Sequence, residues 1–216
     1  SRHGSDVVAM IEDAQAEWTR RAEPALRHDD DVAVEVRATD WNGARVPLVR
    51  VRALSTEPLR LFGRVTLGDN ADAAPTVYQF EHLWLDHFVQ INHGAARLID
   101  CAVRHLRVTT AQRQAPVISA RACLFKTLEA ARGLVRLEYT TVLETLLAEH
   151  LQASDCIIMA ALRKDTVDDD VPAAGCVRYS RVPYIPLPPD PDDPESVPPA
   201  AIVLLADGAT NIGRNS

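Results

Sequence analysis

Between Leu85 and Cys101 the chain reads LDHFVQINHGAARLIDC, which gathers the imidazoles of His87 and His93, the carboxylates of Asp86 and Asp100, and Gly94 into one short stretch. An imidazole titrates near neutrality, so His87 or His93 has the chemistry of a general base without special tuning. A carboxyl such as Asp100 serves as the matching acid only where apolar neighbours, here Leu98, Ile99 and Val103, raise its pKa. Extended back to Glu81 and His82, the stretch also offers metal-ligand types, but their spacing follows no familiar helix motif and no metal is expected. The plain alternative is a polar entrance to a helix, with His87 capping or packing and Asp100 solvated or paired with Arg104 one turn on.

The elements that must position these groups follow from hydrophobic period. Ala95, Leu98, Ile99, Ala102, Val103 and Leu106 fall at i, i+3, i+4, i+7, i+8 and i+11, which predicts a helix buried on one side and opened by Gly94. Before it, an amphipathic helix is expected over residues 5–27, with Ser5-Asp6 as its N-cap. VAVEVRAT, VPLVRVRAL and LRLFGRVTL then read as strands, with Trp41-Asn42-Gly43 as a hairpin tip. After Pro116, PVISARACLF, LVRLEYTTVL, DCIIMAALRK and AAGCVRYSRV read as four more strands. The aromatic cluster Tyr78, Phe80, Trp84 and Phe88 is expected in the core. Eight of the fourteen prolines lie between Pro183 and Pro199, which dictates an extended, polyproline-like tail. No internal repeat of fixed period emerges. The expected organisation is a helical extension over 1–30, a main domain over 31–182 and a proline-rich tail over 183–216.

Composition narrows the function classes. A net charge of −7 argues against a nucleic-acid binder that works by neutralising phosphates. No apolar run approaches the roughly 20 residues needed to span a bilayer, and SRHGSDVV shows no charged-then-apolar leader, so a cytoplasmic protein without membrane association is expected. Cys101, Cys123, Cys156 and Cys176 are scattered through apolar surroundings and read as reduced core residues.

DHFVQINHGAARLIDCAVRHL resembles the signature of the hot-dog-fold 3-hydroxyacyl-carrier-protein dehydratases of fatty-acid and polyketide synthesis, over about residues 46–182. The resemblance implies an α+β hot-dog fold, an antiparallel sheet wrapped around a central helix. It implies that His87-Phe88 stands for the family's catalytic His-Phe, Gly94 or Ala95 for its turn glycine, and Asp100 for its helix carboxylate. Val89-Gln90 stands where the family carries Pro-Gly, and the family's Pro-Gly turn is here His93-Gly94.

On that reading His87 takes the C2 proton of a 3-hydroxyacyl thioester and Asp100 protonates the departing hydroxyl, with no cofactor. Backbone N–H groups near Gly94 and Ala95 would face the thioester oxygen as it gathers charge, with Phe88 and His93 beside the substrate. The implied partners are an acyl carrier protein with its phosphopantetheine-linked substrate and a second hot-dog subunit, in a homodimer or heterodimer. Arg104, Arg107, Arg113, Arg121, Arg132 and Arg136 are candidates for a basic rim that meets an acidic carrier. The alternatives are a hot-dog thioesterase, or a non-catalytic partner subunit.

Overall fold

Along the middle of the chain the buried side chains keep a common beat. They are Ala96, Leu98, Cys101, Val103, Leu106 and Val108, then Ile118, Ala120, Cys123, Phe125, Leu128 and Ala130, all at 5% exposure or less. The spacing 2, 3, 2, 3, 2 is strand alternation with one extra residue inserted at each of two corners. The computed structural model shows what this builds: a chain that coils into a three-faced parallel β-solenoid. The structure describes residues 1–69, 74–159, 161–163, 174–178 and 210–211.

In chain order the elements are β1 (Arg2–His3), α1 (Gly4–Arg21), β2 (Ala25–His28), β3 (Val32–Trp41), β4 (Ala44–Ala53), β5 (Leu59–Phe62) and β6 (Val65–Leu67). Then follow β7 (Thr76–Glu81), β8 (Leu83–Ile91), β9 (Gly94–Ile99), β10 (Ala102–Val108), β11 (Gln112–Arg121), β12 (Leu124–Glu138) and β13 (Thr141–Ser154). The last are β14 (Ile157–Ile158), β15 (Ala161–Arg163), β16 (Ala174–Arg178) and β17 (Thr210–Asn211).

The first face stacks β4, β7, β9, β11, the later parts of β12 and β13, and β16, in parallel register. The second stacks β5, the first residues of β8, β10, β12 and β13, and β14. The third stacks β6, the following residues of those long strands, and β15.

The corner between the first and second faces is itself a ladder. His82, Asp100, Ala122, Tyr139 and Asp155 all take the left-handed conformation, with φ between 49° and 56°. Each of the first four donates its N–H to the next coil, to the carbonyls of Ile99, Arg121, Glu138 and Ser154 at 3.0–3.1 Å. Non-glycine residues pay for that conformation in steric strain, which the continuous hydrogen bonding offsets. The turn sends the following residue inward, and Leu83, Cys101, Cys123, Thr140 and Cys156 form a buried column. Cys101, Cys123 and Cys156 are buried and form no disulfide, as expected of core cysteines. Burial and the neighbouring Cys123 sulfur push the Cys101 thiol well above its ordinary range.

The N-terminal segment closes one end of the coil. Val7, Ile11 and Ala14 on α1 are at most 1% exposed and belong to the same core as the solenoid interior, and the Gln15 side chain meets the buried Tyr78 hydroxyl. His3 caps the helix by accepting from the Ser5 N–H at 3.2 Å. The hairpin of β3 and β4 turns at Asn42 and Gly43, both at positive φ, the conformation a two-residue hairpin turn demands. β2 and β3 add antiparallel strands beside β4.

Two expectations are corrected here. The fold is a mostly-β parallel solenoid, not an α+β hot-dog fold with an antiparallel sheet, and the likeness to the dehydratase family falls with it. The predicted central helix is the strand pair β9 and β10, joined by the corner at Asp100 and Cys101. The corner residue lengthens the spacing from Leu98 to Cys101 to three, so two strands imitate a helical stripe. The repeat was hidden because the register partners Phe80, Leu98, Ala120, Leu137 and Ala153 lie 18, 22, 17 and 16 residues apart. The proline-rich segment, the acidic run Asp168 to Asp170 and the apolar run 202–206 lie outside the described residues.

Candidate binding surface on the second face

The second face is narrow: between its corners each coil contributes one outward side chain flanked by two inward ones. Register stacks these outward residues into the column Trp84, Ala102, Leu124, Thr141 and Ile157. Trp84 is 42% exposed, Leu124 44% and Ile157 47%. At ~4.8 Å per coil the column runs about 19 Å. Arg60, one coil before Trp84, lays its guanidinium over the indole at 4.7 Å from the ring centre, and its Nε donates to Asp86 at 2.7 Å. Tyr139, Leu143 and Met159, also exposed, widen the apolar surface at the far end.

At the edge between the second and third faces, His87, Phe88, Arg104, His105, Lys126 and Thr127 line a shallow cup of 380 Å³. The extra residue of β8 at this corner, where Val103 and His105 pair with Leu85 and Phe88, turns His87 out to solvent. Phe88 packs on His105 with ring centres 4.5 Å apart, and Arg64 covers the other side of Phe88 at 5.0 Å. Burial pushes the His105 imidazole below its ordinary value, against the pull of the Glu129 carboxylate 3.4 Å away. Glu129 is in turn held by Arg107 Nε at 2.9 Å. Lys126 meets Glu144 at 3.2 Å, and the nearest carboxylate to Arg104 is Asp86 at 3.9 Å.

At the opposite edge His82 donates from Nδ1 to Asp100 Oδ2 at 2.8 Å and from Nε2 to the Thr56 carbonyl at 2.9 Å. With an oxygen acceptor at each ring nitrogen, the arrangement favours the doubly protonated ring. The Asp100 hydrogen bond, then the Thr56 carbonyl, raise its pKa. With both nitrogens engaged, this ring ties the 54–58 loop to the corner.

The residues singled out from sequence are therefore dispersed. His87 and Phe88 sit at the cup, whereas Asp100 stands at the other edge of the same face, engaged by His82. Gly94 opens a strand and not a helix; its φ is 131°, and a Cβ there would stand 1.9 Å from the Thr76 carbonyl oxygen, so glycine is needed for coil-on-coil approach. Ala95 is buried in the first-face ladder opposite Val77, and the His93 backbone lies against Gly68. No helix start exists here to supply oxyanion donors.

Of the expected basic rim, Arg104 lines the cup, Arg107 is taken by Glu129, and Arg121 and Arg136 stand on the first face. Tyr78 and Phe80 are core as expected, while Trp84 is outside. Leu124, Ile157, His105 and Lys126 went unnoticed in the sequence. The signal for Leu124 and Ile157 is positional, since each is outward between two buried neighbours. Among the described residues no cluster suited to a metal ion is present, and no helix is long and apolar enough to cross a membrane. The chain matches no protein-family model, no curated protein and no solved structure.

Proposed function

We propose that this chain is a non-catalytic binding module, a rigid solenoid that docks a partner protein along its second face. The observation that carries the reading is the exposed apolar column of Trp84, Leu124 and Ile157, which the exposed Tyr139, Leu143 and Met159 extend at its far end. Aromatic and aliphatic residues held by a parallel sheet present a fixed, low-entropy surface, which favours recognition.

A hydro-lyase that pairs His87 of one subunit with Asp100 of another was implied by the hot-dog assembly, and the solenoid offers no such assembly, while within this chain the two groups flank opposite edges of a face. Its carrier-protein partner and its pathway rest on the same pair. Two measurements separate the readings. Incubation with a 3-hydroxyacyl carrier protein, followed by mass spectrometry, is expected to show no 18 Da loss. A photo-crosslinking residue at Leu124 is expected to give a discrete protein adduct in cells, and one at Ser119 on the first face none. Dehydration that His87→Ala abolishes, or equal crosslinking from both faces, overturns the binding reading.

A further inference from the structure

We propose that the cationic cup at the edge of the second and third faces binds side-chain carboxylates of an extended, acidic segment of the partner, laid along the apolar column. This deepens the docking reading above and rests on it for the apolar half of the contact.

The charge sits where such a segment would need it. Arg104 and Lys126 follow Ala102 and Leu124 by two residues in β10 and β12, so each cation stands about 6–7 Å to the side of the column. That sideways offset is within the combined reach of the Arg104 or Lys126 side chain and of a carboxylate projecting from an extended segment laid along the column. The cations are available. Asp86, the nearest carboxylate to Arg104 at 3.9 Å, is already engaged by Arg60. Lys126 and Glu144 form an exposed pair, 44% and 59% accessible, of the kind an incoming anion displaces at little cost. His87 adds an exposed imidazole, and Phe88 with His105 gives the cup an apolar floor. In a chain of net charge −7 this grouping runs against the overall balance.

The width of the surface selects the occupant. A strip about 19 Å long and roughly 10 Å across offers on the order of 200 Å², far below the ~800 Å² per partner of a stable domain or dimer interface, and suited to one extended strand. A second copy of this chain, packed face to face, would be held too weakly by that area.

The test is fluorescence anisotropy with the full chain and two labelled peptides of about eight residues, long enough for ~19 Å at ~3.3 Å per residue. One alternates leucine with aspartate and the other leucine with lysine. The aspartate peptide is expected to bind, and added salt to weaken it. The double variant Arg104→Glu, Lys126→Glu is expected to lose about tenfold or more in affinity. Equal binding of the lysine peptide, no binding of the aspartate peptide, or indifference to the charge reversal overturns the proposal. Leu124→Asp separates the two claims: binding that survives it but fails on charge reversal keeps the anion site and removes the docking face, and the opposite pattern removes the anion site alone. Binding that strengthens when Asp190, Asp192 and Asp193 are changed to Asn assigns the strip to the chain's own acidic segment and overturns an external partner.

Discussion

The first and second faces are made from the same coils and share one interior, yet their outer columns differ in kind. On the first face Arg50, Gln79, Arg97, Ser119, Arg136 and Gln152 stack in register, a wholly polar column. Arg50 donates to Glu81 from Nε and from a terminal nitrogen at 2.8 and 2.6 Å, and Gln79 also reaches Glu81. The second face replaces that self-satisfied surface with Trp84, Leu124 and Ile157. Since the inward residues are buried on both, the contrast teaches that folding is secured inside and that the outer column is free to be set by what it meets.

The widest break of the comparison is a change that should strike both faces together. Phe125→Ala empties a fully buried site where β12 crosses the second face, and the expected cost is about 3–5 kcal/mol in urea unfolding. Next comes a change confined to the first face: Arg50→Met leaves the half-buried Glu81 carboxylate short of donors, at about 1–3 kcal/mol. Burial alone would raise the Glu81 pKa, and the Arg50 and Gln79 hydrogen bonds more than reverse it, so the net shift is down. Its stabilisation is therefore present above the ordinary carboxylate range and lost as pH falls through the depressed value, and an acid titration of wild type against Arg50→Met should show that loss in wild type only.

The corner between the faces has the opposite sign. The raised His82 pKa means that its contribution is full below about pH 6.5 and fades as pH rises through the raised value. Protection of the 54–58 amides, taken relative to their intrinsic exchange rates, should fall over that interval, and His82→Asn, which tolerates the left-handed backbone, should remove that pH dependence of protection. The smallest effect on stability belongs to the second face itself. Leu124→Asp should move the unfolding midpoint by no more than ~0.5 kcal/mol while abolishing partner crosslinking. A large destabilisation instead would mean that the column serves the fold, and the contrast between faces would dissolve.

What could be read from sequence was what is local. The Asn42-Gly43 turn, the strands on either side of it and the α1 helix follow from adjacent residues, and they stand close to where they were expected, though α1 ends at Arg21. The region after Gly94 misled because a left-handed corner at Asp100 adds one residue to the alternation, and the alanines and leucines there suit a helix as well as a strand. His87 was visible as a reactive type and does line a cup. Its true neighbours, Arg104, His105 and Lys126, arrive from coils 17 to 39 positions along the chain, a proximity that only the register creates. Asp100 was expected as its partner through the dehydratase resemblance, which does not survive the fold.

One feature of the N-terminal end limits how the molecule can associate. With α1 packed on the same core, β3 and β2 extending the first-face sheet in antiparallel sense and the second face ending in the two-residue β1, the first coil presents no long parallel edge to another molecule. Filaments seeded by stacking one solenoid's last coil on the next one's first are therefore blocked from this side, and the protein is kept to discrete, sideways encounters.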